Sequence, residues 1–426
     1  MTSNETSPTR FLLGTVYFIY FFCGMTLCFE GAFMPEFKQR FELNYQQQMY
    51  TVFAKNIPFV LAVGIGYLVK YLGYKNCLSI AMVLFGAGTL LLVPGLQAGN
   101  YGLLLTAFFI IGLGFNFELV AGNPLLSGLG PPAGSSSRLN LGNALGAIAQ
   151  IIAPLILTFI IPASAVAVAD RLPYMKTLFV VIGGMLLLIA LLTLLAGNVD
   201  ISASFQSPTV AGAAATSSRS IWTNPGVLLG FVTIFLALGA EAGLFSLYRN
   251  FLEDPQIAGL SAHHSQRMFT IFFAVFALGR LAGAWFQKRI KPARTLAFNA
   301  VAALVLLGLI LVAKGPVAVG AITGIGFFVA IFFPTLYSLA IEGLGDRTAQ
   351  ASGLLTMGFL GCALLPILQG RWADRFGLQH SFVLFLIAYP LVLFYALKAH
   401  QLKRPGLEIA PLGAPSGAGP KSARPP

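Results

Sequence analysis

The chain has 426 residues, 57% of them hydrophobic and only 9% charged, and its mean hydropathy is +0.81. Soluble domains carry about 25% charged residues, so 14 acidic and 26 basic side chains cannot cover a water-facing surface of this size. That excludes a soluble enzyme, a disordered chain and, despite the net charge of +12, a nucleic-acid binder. What remains is a polytopic membrane protein.

A bilayer-crossing helix needs about 20 mostly apolar residues. Runs of that kind predict spans near 11–34, 48–70, 77–97, 101–126, 139–163, 173–196, 225–250, 267–287, 295–313, 317–341, 351–370 and 380–399, twelve in all. Barrel strands would be about 10 residues of alternating polarity, and a run such as 177–196 shows no alternation. The first run is too long for a signal h-region, and no small-residue cleavage site follows it. Cys23, Cys28, Cys77 and Cys362 all lie in apolar runs, so neither a disulfide framework nor a metal site is expected, and no cofactor.

The expected organisation is an all-α membrane protein of two six-helix halves, 1–196 and 225–400. Between them lies a Ser/Thr/Ala/Gly-rich linker, 197–224, and a Pro/Gly-rich tail follows, 401–426. Basic residues orient such a chain. With both termini in the cytoplasm, fifteen Lys and Arg fall inside and nine outside, with Lys55 and Arg280 within spans. The excess positive charge then faces anionic lipid rather than a partner. Localisation in the inner membrane and a monomeric state are expected.

Two segments echo each other across the chain. Gly66–Lys75 ends the second span and Gly279–Arg289 the eighth, each with glycines followed by a basic turn. Gly66 and Gly283 are 217 residues apart, close to half the chain. Two halves related by a weak repeat are what a rocking transporter has, with its site at mid-membrane between them.

Gly66–Lys75 resembles the loop motif of the major facilitator superfamily, with Lys70 in place of the usual Asp. That departure is similar to one branch, the fucose:proton symporters. Asn123-Pro124, Arg138-Leu139-Asn140, Pro173-Tyr174-Met175, Gly239-Ala240-Glu241, Gly279-Arg280 and Phe333-Pro334-Thr335 with Tyr337-Ser338-Leu339 follow that branch in order. The resemblance implies a twelve-helix alternating-access transporter driven by protons, with a monosaccharide as substrate.

An ionisable group at membrane depth costs at least about 2.5 kcal/mol, so each one is a functional candidate. Four stand out: Glu30, Lys55, Glu118 and Glu241. The resemblance implies proton coupling at two acids, Glu30 and Glu118. Both stand one residue from the family positions, a rotation of about 100° around the helix. Low dielectric disfavours a charged carboxylate, which lets such a group carry a proton reversibly. Two carboxylates could instead hold sodium with help from carbonyls. Lys55 needs a partner, and Glu30 on the neighbouring span is the first choice, as a structural lock or as a coupling switch. An unpaired Lys55 would point to an anionic substrate.

Glu241, Phe245 and Tyr248 recur at i, i+4 and i+7 and share a helix face. Carboxylate, ring and phenol suit a sugar's hydroxyls and its C–H face; an aromatic packing stripe would have the same spacing. Asn56, Asn143, Gln150 and Tyr337 are further substrate contacts to expect. Arg138, Arg280 and Lys70 belong to the gate or scaffold, holding helix ends or carbonyls. Asn123-Pro124, Ala153-Pro154, Phe333-Pro334 and Leu365-Pro366 mark expected helix breaks. Rival readings are a carrier or exporter of a charged metabolite and a non-transporting sensor. A membrane-embedded enzyme lacks any catalytic constellation in this sequence.

Overall fold

The computed structural model describes residues 7–129, 135–162, 164, 167–196, 224–287, 289–342, 351 and 354–398. Almost the whole of the linker at 197–224, and all of the tail at 401–426, lie outside them. The described residues are helical, with no strand among them. Eleven helices are long and apolar enough to cross a membrane, from 19 to 29 residues each. The second span completes twelve; it is missing from the eleven because a 3-10 turn at Ile57–Leu61 divides it.

In the first half these are α1 (Ser7–Ala32), a short α2 (Met34–Arg40), α3 (Tyr45–Asn56) and α4 (Ala62–Leu72) on either side of the turn, α5 (Tyr74–Ala98), α6 (Tyr101–Gly128), α7 (Ser135–Ile160) and α8 (Val168–Leu195). In the second they are α9 (Pro225–Glu253), α10 (Ala262–Gln287), α11 (Pro292–Val312), α12 (Gly315–Val329), α13 (Phe332–Ile341), α14 (Leu360–Phe376) and α15 (Phe385–Leu397). Polar caps set several starts. The Asn44 side chain accepts from the Gln47 N–H at 2.7 Å while the Gln47 side chain accepts from the Asn44 N–H, a capping box that opens α3. Asn100 caps α6 and Asn224 caps α9, the latter followed by Pro225 at the first helical position.

Lipid tails are as apolar as leucine, so helices associate through close packing at small residues rather than hydrophobic drive. A Cβ added at Gly112 of α6 would stand 1.8 Å from the Lys55 carbonyl, and one at Gly361 of α14 1.9 Å from that of Phe235. These backbone contacts hold α3 to α6 and α14 to α9. Large apolar side chains such as Phe18, Leu195 and Val305 are more than 60% exposed on the outer surface, as lipid-facing residues are.

The proline breaks are fewer than the sequence suggests. Pro124, Pro154 and Pro366 lie inside helices that run through them. Interruptions fall at Pro58, in the 3-10 turn, at Ala330–Ile331, just before Phe333-Pro334, and at the 3-10 turns Met357–Phe359 and Gln379–Leu384 that lead into α14 and α15. One lost hydrogen bond is tolerated where neighbouring groups re-satisfy the freed backbone. Beside the Pro58 break, the side chain of Asn116 donates to the Pro58 carbonyl at 2.6 Å and ties α6 to the turn.

Contacts between the halves concentrate at the end of the bundle that carries the N-terminus of α3 and the C-termini of α9 and α14. There α3 packs on α14, α7 on α10, and α2 on α9. Both Asp374 carboxylate oxygens accept from the first turn of α3, from Tyr45 N–H at 2.6 Å and Gln46 N–H at 2.8 Å. A carboxylate at a helix N-terminus is electrostatically favoured. Gln48 donates to the Asn250 side chain at 2.9 Å, and Gln266 to the Pro154 carbonyl at 3.4 Å. Beyond the 3-10 turn the path diverges: α4 packs on α5 and α6 of its own half.

Candidate functional site

A cavity of about 180 Å³ lies between the halves, below this sealed end. From the first half, α1 contributes Cys28 and Glu30, α3 contributes Lys55 and Asn56, and α7 contributes Gln150. From the second, α9 contributes Glu241, Phe245 and Ser246. Phe115, Phe273 and Phe359 add aromatic walls, and Cys362 a thiol facing from the second half.

Glu30 is 3% exposed and its Oε2 forms an ion pair with Lys55 Nζ. Its Oε1 is buried without a hydrogen-bond partner. Lys55 keeps a side chain 14% exposed at the cavity wall, so the pair is buried on the Glu30 side and reachable on the Lys55 side. Glu241 faces it from the other half. The Phe245 ring packs edge-on against Phe272 and Phe276, which fixes the wall beside Glu241. Toward the other end of the bundle, Phe359 stacks on Phe59 across the halves, with centroids 5.3 Å apart and planes 16° apart, and Phe333 packs against Phe359.

Six of the ten expected proton and substrate residues therefore meet in one place: Glu30, Lys55, Asn56, Gln150, Glu241 and Phe245. Four stand elsewhere. Tyr248 is fully buried in the second half, its hydroxyl within 2.7 Å of Thr323 Oγ1 and 3.1 Å of the Met268 carbonyl it donates to. The i+7 spacing does keep it on the face of Glu241, but two turns along the helix that face meets α10 and α12 instead of the cavity. Asn143 is exposed and outside the cavity lining. Tyr337 packs on Phe333, one layer behind Phe359.

Glu118 is 3% exposed inside the first half, its Oε1 facing Gly122 on its own helix. Close by, Tyr20 of α1 donates to Asn123 Oδ1 at 2.6 Å. Glu118 therefore does not line the cavity and stands within the first half beside α1. Of the scaffold residues, Arg138 donates to the Leu126 carbonyl at 3.1 Å, near the end of α6. Arg280 lies over the Phe276 ring at 4.7 Å. The Lys70 side chain lies outside the described residues.

Counting charge by loop misses a second cluster, at the sealed end. Glu36 and Arg249 are 2% and 1% exposed and pair in a two-pronged bond, with N–O distances of 2.8 and 3.0 Å. Arg171 also donates to Glu36 at 2.8 Å, and Arg249 to Glu253 at 2.6 Å. Arg249 donates as well to the Ala32 carbonyl and to Ser265. In the sequence, Arg171 and Arg249 read as ordinary boundary charges. The available signal is Arg249 standing a full turn inside an apolar helix with Glu253 four residues on.

Twelve spans in two packed halves, with a cavity between them that carries Glu30, Lys55 and Glu241 and cross-half bonds gathered at one end, define a membrane transporter of the alternating-access type. The Major Facilitator Superfamily profile matches residues 13–366, and the chain belongs to that superfamily. It is 33% identical over 409 residues to a glucose/galactose transporter of Brucella abortus, covering 92% of this chain and 96% of the relative. It is 27% identical over 379 residues to the L-fucose-proton symporter of Escherichia coli, covering 84% and 86%. Among solved structures, the fucose transporter FucP in its outward conformation aligns with a TM-score of 0.63 at 25% identity, over 92% of this chain and 98% of that one. A bacterial homologue of the lysosomal transporter Spinster, inward-facing and occupied, aligns at 0.72 and 16% identity, over 94% and 100%.

Proposed function

We propose that this protein takes up a monosaccharide, of the glucose or galactose kind, together with protons by alternating access. The observation that carries this reading is the cavity itself. It sets carboxylates and amides, which bond to hydroxyls, beside aromatic rings that cover a sugar's C–H face. Its volume suits one sugar ring rather than an oligosaccharide. The names of the Brucella and Escherichia relatives point the same way.

Both termini lie in the cytoplasm of a cell whose inner membrane the protein spans as a monomer. The fifteen-to-nine bias of basic residues supports this orientation. The sealed end then faces outward, and the arrangement described is one with the outer side closed. The two halves, 1–196 and 225–400, move against each other as units about the cavity.

Glu30 and Glu118 carry the protons. Glu30 does so at the cavity wall, where protonation frees Lys55 to donate to a substrate hydroxyl. Glu118 does so within the first half, where it acts on α1 beside the Tyr20–Asn123 bond. Glu241, Phe245, Asn56 and Gln150 contact the sugar. In the arrangement described, Glu30 rather than a bound anion balances Lys55. The test is uptake into proteoliposomes under an imposed pH gradient, acid outside. Glucose or galactose should accumulate and organic anions should not, and Glu118→Gln should abolish accumulation while leaving sugar exchange. Sugar movement indifferent to the pH gradient would overturn the reading.

A further inference from the structure

The ionic cluster at the sealed end has a property that a simple brace lacks. Glu36 comes from the first half and Arg249 from the second, and their paired bond joins the halves. Each has a further partner on its own side: Arg171 for Glu36, and Glu253 for Arg249. The cluster is neutral as a whole. Cut between Glu36 and Arg249, it falls into two pairs that are each neutral and each still bonded.

The geometry points to a divisible lock that sets the balance between the two access states. Closing the outer side joins four charges into one network. Opening it divides the network without leaving a buried charge alone, which is the outcome that makes breaking a buried ion pair costly. Glu36 and Arg249 hold the sealed state, whereas Arg171 and Glu253 make the opened state tolerable. Arg171 and Glu253 are positioning residues; none of the four lines the cavity.

The consequence is a difference in sign. Glu36→Gln removes the bond to Arg171 in both states but the bond to Arg249 in the joined state alone, so the balance moves toward outward opening. Arg171→Gln and Glu253→Gln do the reverse, since each strands one charge when the halves part. A brace that merely stabilises the closed end would respond in the same direction to all three.

The native thiols Cys28 and Cys362 line the cavity from opposite halves and report which side it opens to. The experiment applies an impermeant maleimide to intact cells and to inside-out vesicles, and reads each cysteine by peptide mass spectrometry. Glu36→Gln should raise labelling from outside by about tenfold, the effect of about 1.4 kcal/mol of preference. Arg171→Gln and Glu253→Gln should lower it by a similar factor and raise labelling from inside. Adding Glu36→Gln to Arg171→Gln removes the stranded charge and should restore outside labelling. Should the Arg171 variants fail to fold, Glu253→Gln alone carries the prediction, its side chain being 15% exposed.

Outside labelling raised by all three single variants, or unchanged by Glu36→Gln, would overturn the divisible lock. The inference rests on the outward placing of the sealed end. If that placing is wrong, the opposite responses persist with inside and outside exchanged, so the two failures are told apart.

Discussion

Lys55 is the residue whose environment matters most, because its counter-ion is buried and it is not. Removing one member of a buried pair typically costs about 3–5 kcal/mol, while removing both is often close to neutral. Lys55→Met should therefore lower the thermal midpoint in detergent, and Glu30→Gln with Lys55→Met should recover most of the loss. A double variant no more stable than the single would show that the pair does not anchor α1 to α3. Glu241 and Tyr248 make a second contrast, since they share a helix face yet meet different surroundings. Glu241→Gln should weaken sugar binding by about tenfold, the loss of about 1.4 kcal/mol. Tyr248→Phe should leave binding unchanged and cost about 1 kcal/mol of stability through its lost hydrogen bonds. Equilibrium sugar binding and thermal unfolding, measured on the same samples, check both.

At the scale of the helix, glycine placement decides which elements touch. A Cβ at Gly112 would stand 1.8 Å from the Lys55 carbonyl, whereas nothing lies within 4 Å of one at Gly184 or Gly308. Gly112→Ala should displace α3, carry Lys55 away from Glu30 and abolish uptake, with a reduced monodisperse fraction in detergent. Gly184→Ala and Gly308→Ala should behave like the wild type in both assays. The 3-10 turn at Ile57–Leu61 belongs to the same argument. It divides a span whose α3 portion is bound to α14 and whose α4 portion stays with its own half. Mid-helix 3-10 segments often mark hinges, and Asn116 of α6 donates to the Pro58 carbonyl within this one. Asn116→Ala should cost about 1 kcal/mol, the net worth of the lost hydrogen bond, seen as a lowered thermal midpoint.

Across the whole molecule, the strong bonds between halves lie at one end, and the aromatic stack of Phe59 on Phe359 lies on the other side of the cavity. Under the orientation proposed above, the bonded end is the outer one and the Phe59–Phe359 contact stands on the side of release. The placing of the ends is directly measurable. A protease site fused to the C-terminus should be cut in inside-out vesicles and protected in intact cells. Cleavage in intact cells would reverse the orientation and with it the direction assigned to the sealed end.

How much of this was legible in the sequence follows from what each signal depends on. Hydrophobic run length is a local property of the chain, so all twelve spans and the two-half organisation could be read directly. Intramembrane charge is rare enough that Glu30, Lys55, Glu118 and Glu241 stood out, and the need for a counter-ion made Glu30 the first choice for Lys55, while only the structure shows the two paired. Helical periodicity says which residues share a face, but not how far along a helix that face stays open. For that reason Tyr248 matched the pattern and still fell into the core. The Glu36–Arg249 cluster is the clearest case of what the tertiary structure alone decided. Its four charges come from three separate helices, and each by itself looks like a charge at the membrane boundary. Only packing withdraws them from solvent and joins them, because the energy of a buried ion pair depends on partners that no local stretch of sequence contains.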